Sequence, residues 1–130
     1  MVNILLVSHS KALAQATVGF INEMKKGDFL FEYVAGIEDG KAFGTDPMVI
    51  RETISNLTKD RELLVIYDLG SSQMNTEMAY QMLESTVQSR TEIAKCAFLE
   101  GALVAVTSNT DEVTALQLKQ IVESQAQIAK

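Results

Sequence analysis

The chain has 130 residues, of which 47% are apolar and 22% charged, so we expect one packed domain spanning residues 1–130. Eleven Lys and Arg against seventeen Asp and Glu give a net charge of −6. The longest basic run is Lys25-Lys26, which disfavours a nucleic-acid partner.

Membrane and metal sites are also disfavoured by composition. The longest apolar runs, Leu63–Tyr67 and Ala102–Val106, are far shorter than the roughly 18 residues that a membrane-spanning helix needs. No charged segment precedes an apolar core at the N-terminus, so we expect no leader. The single cysteine, Cys96, cannot pair within the chain, and with one histidine it cannot form a usual zinc site. We therefore expect a cytoplasmic protein without a metal, in which Cys96 packs mid-strand.

Four short apolar segments have the composition of buried strands: Val2–Val7, Phe29–Val34, Leu63–Tyr67 and Ile93–Phe98. Glu32 indicates an edge position for the second segment. Strands with few polar residues are typical of parallel sheets that are covered on both faces. The sequence therefore predicts an α/β, doubly wound, mainly parallel four-stranded sheet, for which we take the order 2-1-3-4, with helices on both faces.

Apolar residues at helical spacing lie between the strands. In chain order, the three predicted inward faces are Leu13, Phe20, Ile21 and Met24; Ile50, Thr53, Ile54 and Leu57; and Met74, Met78, Met82 and Leu83. We expect the methionines to pack in the core because Met fills irregular gaps, with a partner or dimer face as the alternative.

Helix-capping signals mark two further helix starts. Asp46 stands before Pro47, which predicts an N-cap followed by proline at the first helical position. Asn109 with Glu112 three residues later resembles a capping box. It predicts a final helix from about Asp111 to Ile128.

Polar residues are concentrated where the first and third predicted strands end. Ser8-His9-Ser10 follow the first strand and Asp68-Leu69-Gly70-Ser71-Ser72 follow the third, while Gly44-Thr45-Asp46 precede the second helix. Ligands of open parallel sheets bind beyond the carboxyl ends of the strands, where the strand order reverses. In the order 2-1-3-4, His9 and Asp68 would therefore face one another.

This pair has a definite chemical use. A hydrogen bond from one ring nitrogen of His9 to Asp68 would leave the other nitrogen free as a nucleophile. Helix N-termini and hydroxyl groups nearby suit a phosphoryl group, so we predict phosphoryl transfer through phosphohistidine. The predicted supporting residues are Ser10, Gly44, Thr45, Asp46, Gly70, Ser71 and Ser72.

Simpler interpretations remain open for the same residues. A lone histidine is more often a surface or core residue, Asp68 can be a turn residue, and Gly44-Thr45-Asp46 can be only a turn and cap. The segment Gly36–Lys41 is not a phosphate-binding loop because three residues, not four, separate its glycines and Ala42 replaces the Ser or Thr. The chain contains neither GxGxxG nor GxSxG.

Four segments together resemble a known family: VNILLVSHS (2–10), AGIEDGKAFGTD (35–46), LVIYDLGSS (64–72) and LEGALVA (99–105). They are similar to the DhaM family, the phosphotransfer subunits of bacterial phosphoenolpyruvate (PEP)-dependent dihydroxyacetone kinases. That family lies within the mannose-type EIIA group of the phosphotransferase system (PTS). The resemblance spans nearly the whole chain and implies a doubly wound α/β fold.

The resemblance implies that His9 is phosphorylated and that Asp68 orients it. It implies HPr, charged by enzyme I, as donor, and ADP held on the subunit DhaL as acceptor, so that this chain binds no cofactor itself. DhaL would then pass the phosphoryl group to dihydroxyacetone bound on DhaK. A homodimer is also implied, although the predicted C-terminal helix replaces a strand of the sugar-transporting relatives. The alternatives are transfer to an EIIB sugar-transport component and a non-catalytic anion-binding adapter.

Overall fold

The computed structural model describes residues 1–128, in which four strands form one sheet. The strands are β1 (Asn3–Ser8), β2 (Phe31–Ala35), β3 (Leu63–Tyr67) and β4 (Thr91–Ala94). Their order is β2-β1-β3-β4, and every neighbouring pair is parallel. The predicted strand order and the edge position of the second strand are confirmed.

Helices pack on both faces of this sheet. They are α1 (Lys11–Ile21), α2 (Pro47–Leu57), α3 (Gly70–Gln81), α4 (Ser85–Gln88), α5 (Phe98–Thr107) and α6 (Ala115–Gln125). Successive β1 side chains point to opposite faces, so Ile4 and Leu6 join the core under α1, α5 and α6, whereas Leu5 and Val7 join the core under α2 and α3. Among residues 1–128, no helix combines the length and apolarity that a bilayer span requires.

The predicted inward face of α1 is wrong. Leu13 is 41% exposed and Phe20 is 58% exposed, and of the predicted residues in α1 only Ile21 is buried. Ala14 and Thr17 are buried instead. Small side chains allow the helix to lie close to β1 and β2, and this turns the larger residues toward solvent.

The predicted core position of the methionines on α3 is also wrong. Met74 and Met78 are 68% and 53% exposed, and Met82, just after the helix, is 39% exposed. Leu83, from the same predicted face, is buried. The residues of α3 that face the sheet are small, namely Ser72, Thr76 and Ala79. For α2 the prediction is confirmed at Ile50, Ile54 and Leu57, which are buried, whereas Thr53 is only half-buried.

The fourth strand is shorter than predicted. It ends at Ala94, and Phe98 already begins α5. The chain leaves the sheet because the Lys95 backbone N–H donates to the Glu123 carboxylate at 2.8 Å and the Ala97 N–H donates to the Ala126 carbonyl at 2.8 Å. Cys96 therefore lies after β4 and not in mid-strand. It is buried, and burial raises the pKa of its thiol to about 12.

The predicted start of the last helix is wrong as well. Asn109 is buried and pairs with the backbone of Val2, accepting from its N–H at 2.9 Å and donating to its carbonyl at 2.7 Å. The capping box consists of Thr114 and Gln117, so the helix runs from Ala115 to Gln125. Asn109 therefore makes a tertiary contact with Val2 and does not cap the last helix.

Candidate active site

The two predicted site residues meet at the carboxyl edge of the sheet. His9 directly follows β1 and Asp68 directly follows β3, and Val7 is paired with Tyr67 in the parallel register of these strands. His9 Nδ1 lies 2.6 Å from Asp68 Oδ2. The predicted proximity of the two residues is therefore confirmed, and it follows from the reversal of strand order between β1 and β3.

The carboxylate determines which ring nitrogen of His9 is available. An ionised carboxylate only accepts hydrogen bonds, so we assign the hydrogen to Nδ1 of the neutral ring, and the lone pair then lies on Nε2. Among residues 1–128, no group makes a hydrogen bond to Nε2, and the His9 side chain is 28% exposed. Nε2 is thus placed to react with an electrophile from outside the chain.

The Asp68 carboxylate is nearly buried, with 4% of its side chain exposed, and each oxygen is well supplied with donors. Oδ1 accepts from the Leu69 N–H and the Ser72 hydroxyl, both at 2.7 Å. Oδ2 accepts from the Ser8 hydroxyl at 2.8 Å and the His9 N–H at 3.2 Å. Burial alone raises the pKa of Asp68, but the hydrogen bonds from Ser72, Ser8 and His9 outweigh it and hold the pKa below its usual value.

Two serine hydroxyls therefore donate hydrogen bonds to the Asp68 carboxylate. Ser72 was predicted to support a phosphate, but its buried hydroxyl points to Asp68. Ser8 is fully buried and was not singled out as a site residue. Its signal in the sequence is a hydroxyl at the end of an otherwise largely apolar strand. Ser71, by contrast, is exposed on the first turn of α3.

Two helices begin beside His9. Ser10 is the N-cap of α1, and its hydroxyl accepts from the Leu13 N–H at 3.2 Å. Gly70 begins α3 directly after the Asp68-Leu69 corner. The first turns of both helices carry backbone N–H groups without helical partners and the positive ends of the helix dipoles. The site therefore has two of the features that bind anions.

The segment 36–46 forms a loop next to the histidine. The Gly44 N–H donates to the His9 carbonyl at 2.9 Å, which ties this loop to the start of α1. Gly44 has a φ of +137°, a conformation that residues with a side chain rarely adopt. Asp46 accepts from the Met48 N–H at 2.9 Å, so its predicted N-cap role is confirmed.

Thr45 is held by a residue that the sequence did not single out. The Asn75 amide, from α3, donates to the Thr45 hydroxyl oxygen at 2.6 Å and to its carbonyl at 3.1 Å. The Thr45 hydroxyl keeps its own hydrogen free to donate. Nothing in the sequence marks Asn75, because the contact joins segments that are 30 residues apart.

Phe43 is the third residue near the site, after Ser8 and Asn75, that the sequence did not single out. Its ring centroid lies 5.6 Å from that of His9, with the planes inclined at 51°, and 76% of the residue is exposed. Among residues 1–128, no cluster of three or more His, Cys, Asp or Glu residues is arranged to hold a metal ion. At this edge of the sheet, the His9 imidazole is backed by the Asp68 carboxylate.

Comparison with known proteins identifies a family and several similar chains. The EIIA-man family model, described as the PTS system fructose IIA component, matches residues 3–117. A subunit from Listeria innocua, the phosphoryl donor subunit DhaM of PEP-dependent dihydroxyacetone kinase 1, is 30% identical over 122 residues. The match covers 91% of this chain and 93% of that one. The DhaM phosphoryl donor subunit of Pantoea ananatis is 29% identical over 135 residues, covering 98% of this chain and 28% of that one.

A solved structure is similar along nearly its whole length. The crystal structure of the protein EF1359, described as of unknown function, has a TM-score of 0.84 and 31% identity and covers 98% of this chain and 96% of that one. The chain spans about a quarter of the length of the DhaM subunits of Pantoea ananatis and Klebsiella michiganensis, at 28% and 23%. From the match over residues 3–117, the chain belongs to the EIIA-man family of the phosphotransferase system.

Proposed function

We propose that the chain is a phosphohistidine phosphocarrier, a phosphotransferase subunit of a PEP-dependent dihydroxyacetone kinase. It receives a phosphoryl group from HPr and passes it to ADP bound on DhaL. The observation that carries this proposal is the 2.6 Å contact between His9 Nδ1 and Asp68 Oδ2, which leaves Nε2 as the available nucleophile. The DhaM names of the similar subunits support the kinase system.

The transfer to His9 exchanges one P–N bond for another. The Nε2 lone pair of His9 attacks the phosphorus of the donor's phosphohistidine, the donor's P–N bond breaks, and its electron pair returns to the donor nitrogen. The His9 ring becomes positively charged because Nδ1 keeps its hydrogen. The negatively charged Asp68 carboxylate lies 2.6 Å from Nδ1 and attracts this positive charge, which stabilises the phosphorylated state.

Neighbouring groups are proposed to hold the phosphoryl oxygens. The candidates are the backbone N–H groups at the starts of α1 and α3 and the hydroxyls of Ser10, Thr45 and Ser71. Ser10 and Thr45 already accept a hydrogen bond each, so their hydroxyl hydrogens are available to an anion. Ser72 acts through the carboxylate in this proposal, since its hydroxyl donates to Asp68.

In the second half-reaction, phosphorylated His9 gives its phosphoryl group to ADP. The nucleotide is a cofactor of DhaL, so this chain needs no cofactor of its own. DhaL then passes the phosphoryl group to dihydroxyacetone bound on DhaK. We further propose a cytoplasmic location and a homodimer. Sedimentation equilibrium tests the last point, because a monomer at micromolar concentration would contradict it.

The first test is phosphorylation. Incubation with enzyme I, HPr and labelled PEP is expected to give an adduct that is labile in acid and stable in alkali. His9 is the only histidine of the chain, so a phosphohistidine must be at this residue. The variant His9→Ala should lose the label entirely while keeping the wild-type circular dichroism. A label that persists in His9→Ala refutes the assignment.

The second test identifies the acceptor. Rapid ATP formation on addition of DhaL with ADP supports the kinase role. The family description, a fructose IIA component, favours one other candidate, transfer to an EIIB sugar-transport domain. Sugar phosphate formed with transporter membranes, without ATP formation with DhaL, would establish that candidate instead. Failure of every donor to label the chain would favour a non-catalytic anion-binding adapter.

A further inference from the structure

The Asn75 side chain on α3 directs its amide nitrogen to a single residue of the loop 36–46. That nitrogen donates to the Thr45 hydroxyl oxygen at 2.6 Å and to the Thr45 carbonyl at 3.1 Å. A carbonyl only accepts hydrogen bonds, so the amide atom that faces it must be the nitrogen and not the oxygen. Because an amide nitrogen only donates, the Thr45 hydroxyl must accept from it, and its own hydrogen must point elsewhere.

The Thr45 hydroxyl is an unused donor close to the reactive imidazole. Among residues 1–128, no group accepts its hydrogen, and the residue is half-buried. The two residues before it both contact His9, since the Phe43 ring lies 5.6 Å from the His9 ring and the Gly44 N–H donates to the His9 carbonyl at 2.9 Å. Consecutive Cα atoms are about 3.8 Å apart, so Thr45 stands at the same edge of the sheet.

The contact with Asn75 does more than a tether requires. The bond to the Thr45 carbonyl would by itself tie the loop to α3, yet the shorter of the two bonds goes to the hydroxyl. The Ser10 hydroxyl, by comparison, accepts from the Leu13 N–H of its own helix, which is an ordinary N-cap. The Thr45 hydroxyl is instead oriented by a side chain from a different element.

We propose that Asn75 is a positioning residue, which orients the Thr45 hydroxyl so that it donates to the phosphoryl group on His9 Nε2. This inference rests on the proposed function, because it needs a phosphorylated His9. A hydrogen bond to a charged oxygen is stronger than one between neutral groups, and a donor that is already oriented loses less entropy in forming it. Asn75 stabilises the phosphorylated state through Thr45 and does not itself bind the phosphoryl group.

The test measures the equilibrium constant for phosphoryl transfer from phosphorylated HPr to the chain, from the division of label between the two proteins. This constant depends only on the free energies of the separate proteins, each with and without its phosphoryl group. A residue that only speeds the encounter with the donor leaves the constant unchanged. So does a residue that stabilises the loop equally in both states of the chain.

Thr45→Val keeps the shape of the side chain and is expected to lower this constant about tenfold, because the phosphoryl group loses one donor. Asn75→Ala keeps the hydroxyl but not its orientation and should lower the constant about fivefold. The double variant should fall no further than Thr45→Val alone, since Asn75 acts through the hydroxyl. Thr45→Ser, which restores a hydroxyl, should recover most of the constant.

The matched controls are Thr107→Val and Asn56→Ala. Thr107 is exposed at the end of α5 and its hydroxyl donates to the Leu103 carbonyl of the same helix, while Asn56 is exposed on α2. Both variants should have the wild-type constant. If Asn75→Ala fails to fold, Asn75→Asp replaces it. Its carboxylate would accept the Thr45 hydrogen and should lower the constant at least as far.

Three results would overturn the positioning role of Asn75. They are an unchanged constant in Thr45→Val, an unchanged constant in the folded Asn75 variant, and a double variant whose loss is the product of the two single losses. The last result would mean that the two residues act independently. If the wild-type chain takes no label from HPr, the proposed function itself fails, and the role of Asn75 fails with it.

Discussion

Two opposing effects act on the pKa of the Asp68 carboxyl group. Near-complete burial favours the neutral form, whereas donors from Ser8, Ser72, His9 and Leu69 favour the anion. The donors prevail, so the pKa of Asp68 lies below its usual value. A neutral amide at this position could not accept from all of these groups, and it would leave buried donors without partners.

Asp68→Asn is expected to lower the free energy of unfolding by about 2 kcal/mol near neutral pH. Because the folded state lowers the pKa of Asp68, its contribution is complete above the unfolded-state pKa of about 3.9 and is lost as the pH falls through the folded-state value. Urea unfolding of both proteins from neutral pH to about pH 3 measures the difference.

The control for this measurement is Asp28→Asn. Asp28 pairs with Arg61, but its side chain is 85% exposed, so water screens the interaction and the effect on stability should be much smaller. A difference between wild type and Asp68→Asn that is undiminished at about pH 3 would contradict the assigned role of the carboxylate.

At the level of elements, the site depends on how the loop 36–46 joins α3. The Asn75 side chain on α3 donates hydrogen bonds to Thr45, and the neighbouring Gly44 N–H donates to the His9 carbonyl. Gly36 and Gly44 have positive φ values of +72° and +137°, which allow the loop to turn back over the start of α1. The loop is therefore bonded both to the backbone of His9 and to the side chain of Asn75 on α3.

Removal of the Asn75 amide is expected to loosen this loop. In Asn75→Ala, hydrogen exchange of the Gly44 N–H should become about tenfold faster. The loop must open locally before this N–H can exchange, and in the variant that opening no longer breaks the two hydrogen bonds from Asn75 to Thr45. Asn56→Ala is the control, since Asn56 is exposed on α2. Equal exchange of Gly44 in wild type and Asn75→Ala would show that the loop is held without this contact.

For the whole molecule, the helices at the end of the chain complete one side of the core. Leu118 and Val122 of α6 are fully buried in the cluster that also contains Ile4 and Ile66 of the sheet. The Ala115 N–H donates to the Glu62 carboxylate at 2.8 Å, so the start of α6 is tied to the segment before β3. The site at the opposite edge depends on this packing because β1 and β3 carry His9 and Asp68.

Leu118→Ala is expected to destabilise the fold by about 3 kcal/mol, since it removes a fully buried side chain and leaves a cavity. Leu116→Ala is the matched control, because Leu116 lies on the same helix with 51% of its surface exposed. It should change the free energy of unfolding by less than about 0.5 kcal/mol. Both are measured by urea unfolding, and similar effects would contradict the assigned packing of α6.

Much of this arrangement could be predicted from the sequence. The runs that form β1 and β3 are apolar on both faces, which is typical of a covered parallel sheet. The inward face of α2 follows from its large apolar residues at helical spacing, and Asp46 before Pro47 marks its start. The apposition of His9 and Asp68 follows from the strand order, because both residues stand directly after neighbouring strands.

Other features depended on contacts between distant segments. The buried faces of α1 and α3 consist mainly of small residues such as Ala14 and Ala79, with Ile21 as the exception, so the spacing of large apolar residues pointed mostly to the wrong sides of both helices. Asn75 and Phe43 carry no local signal either, since the residues that they contact, Thr45 and His9, lie about 30 or more residues away in the sequence.

Local patterns of apolarity and turn residues thus determine the class of fold and the edge at which chemistry can occur, because they act within a few neighbouring residues. The roles of individual side chains come from the folded chain. Close packing selects which face of a helix is buried, and hydrogen bonds such as that from Ser72 to Asp68 join residues only after the chain has folded.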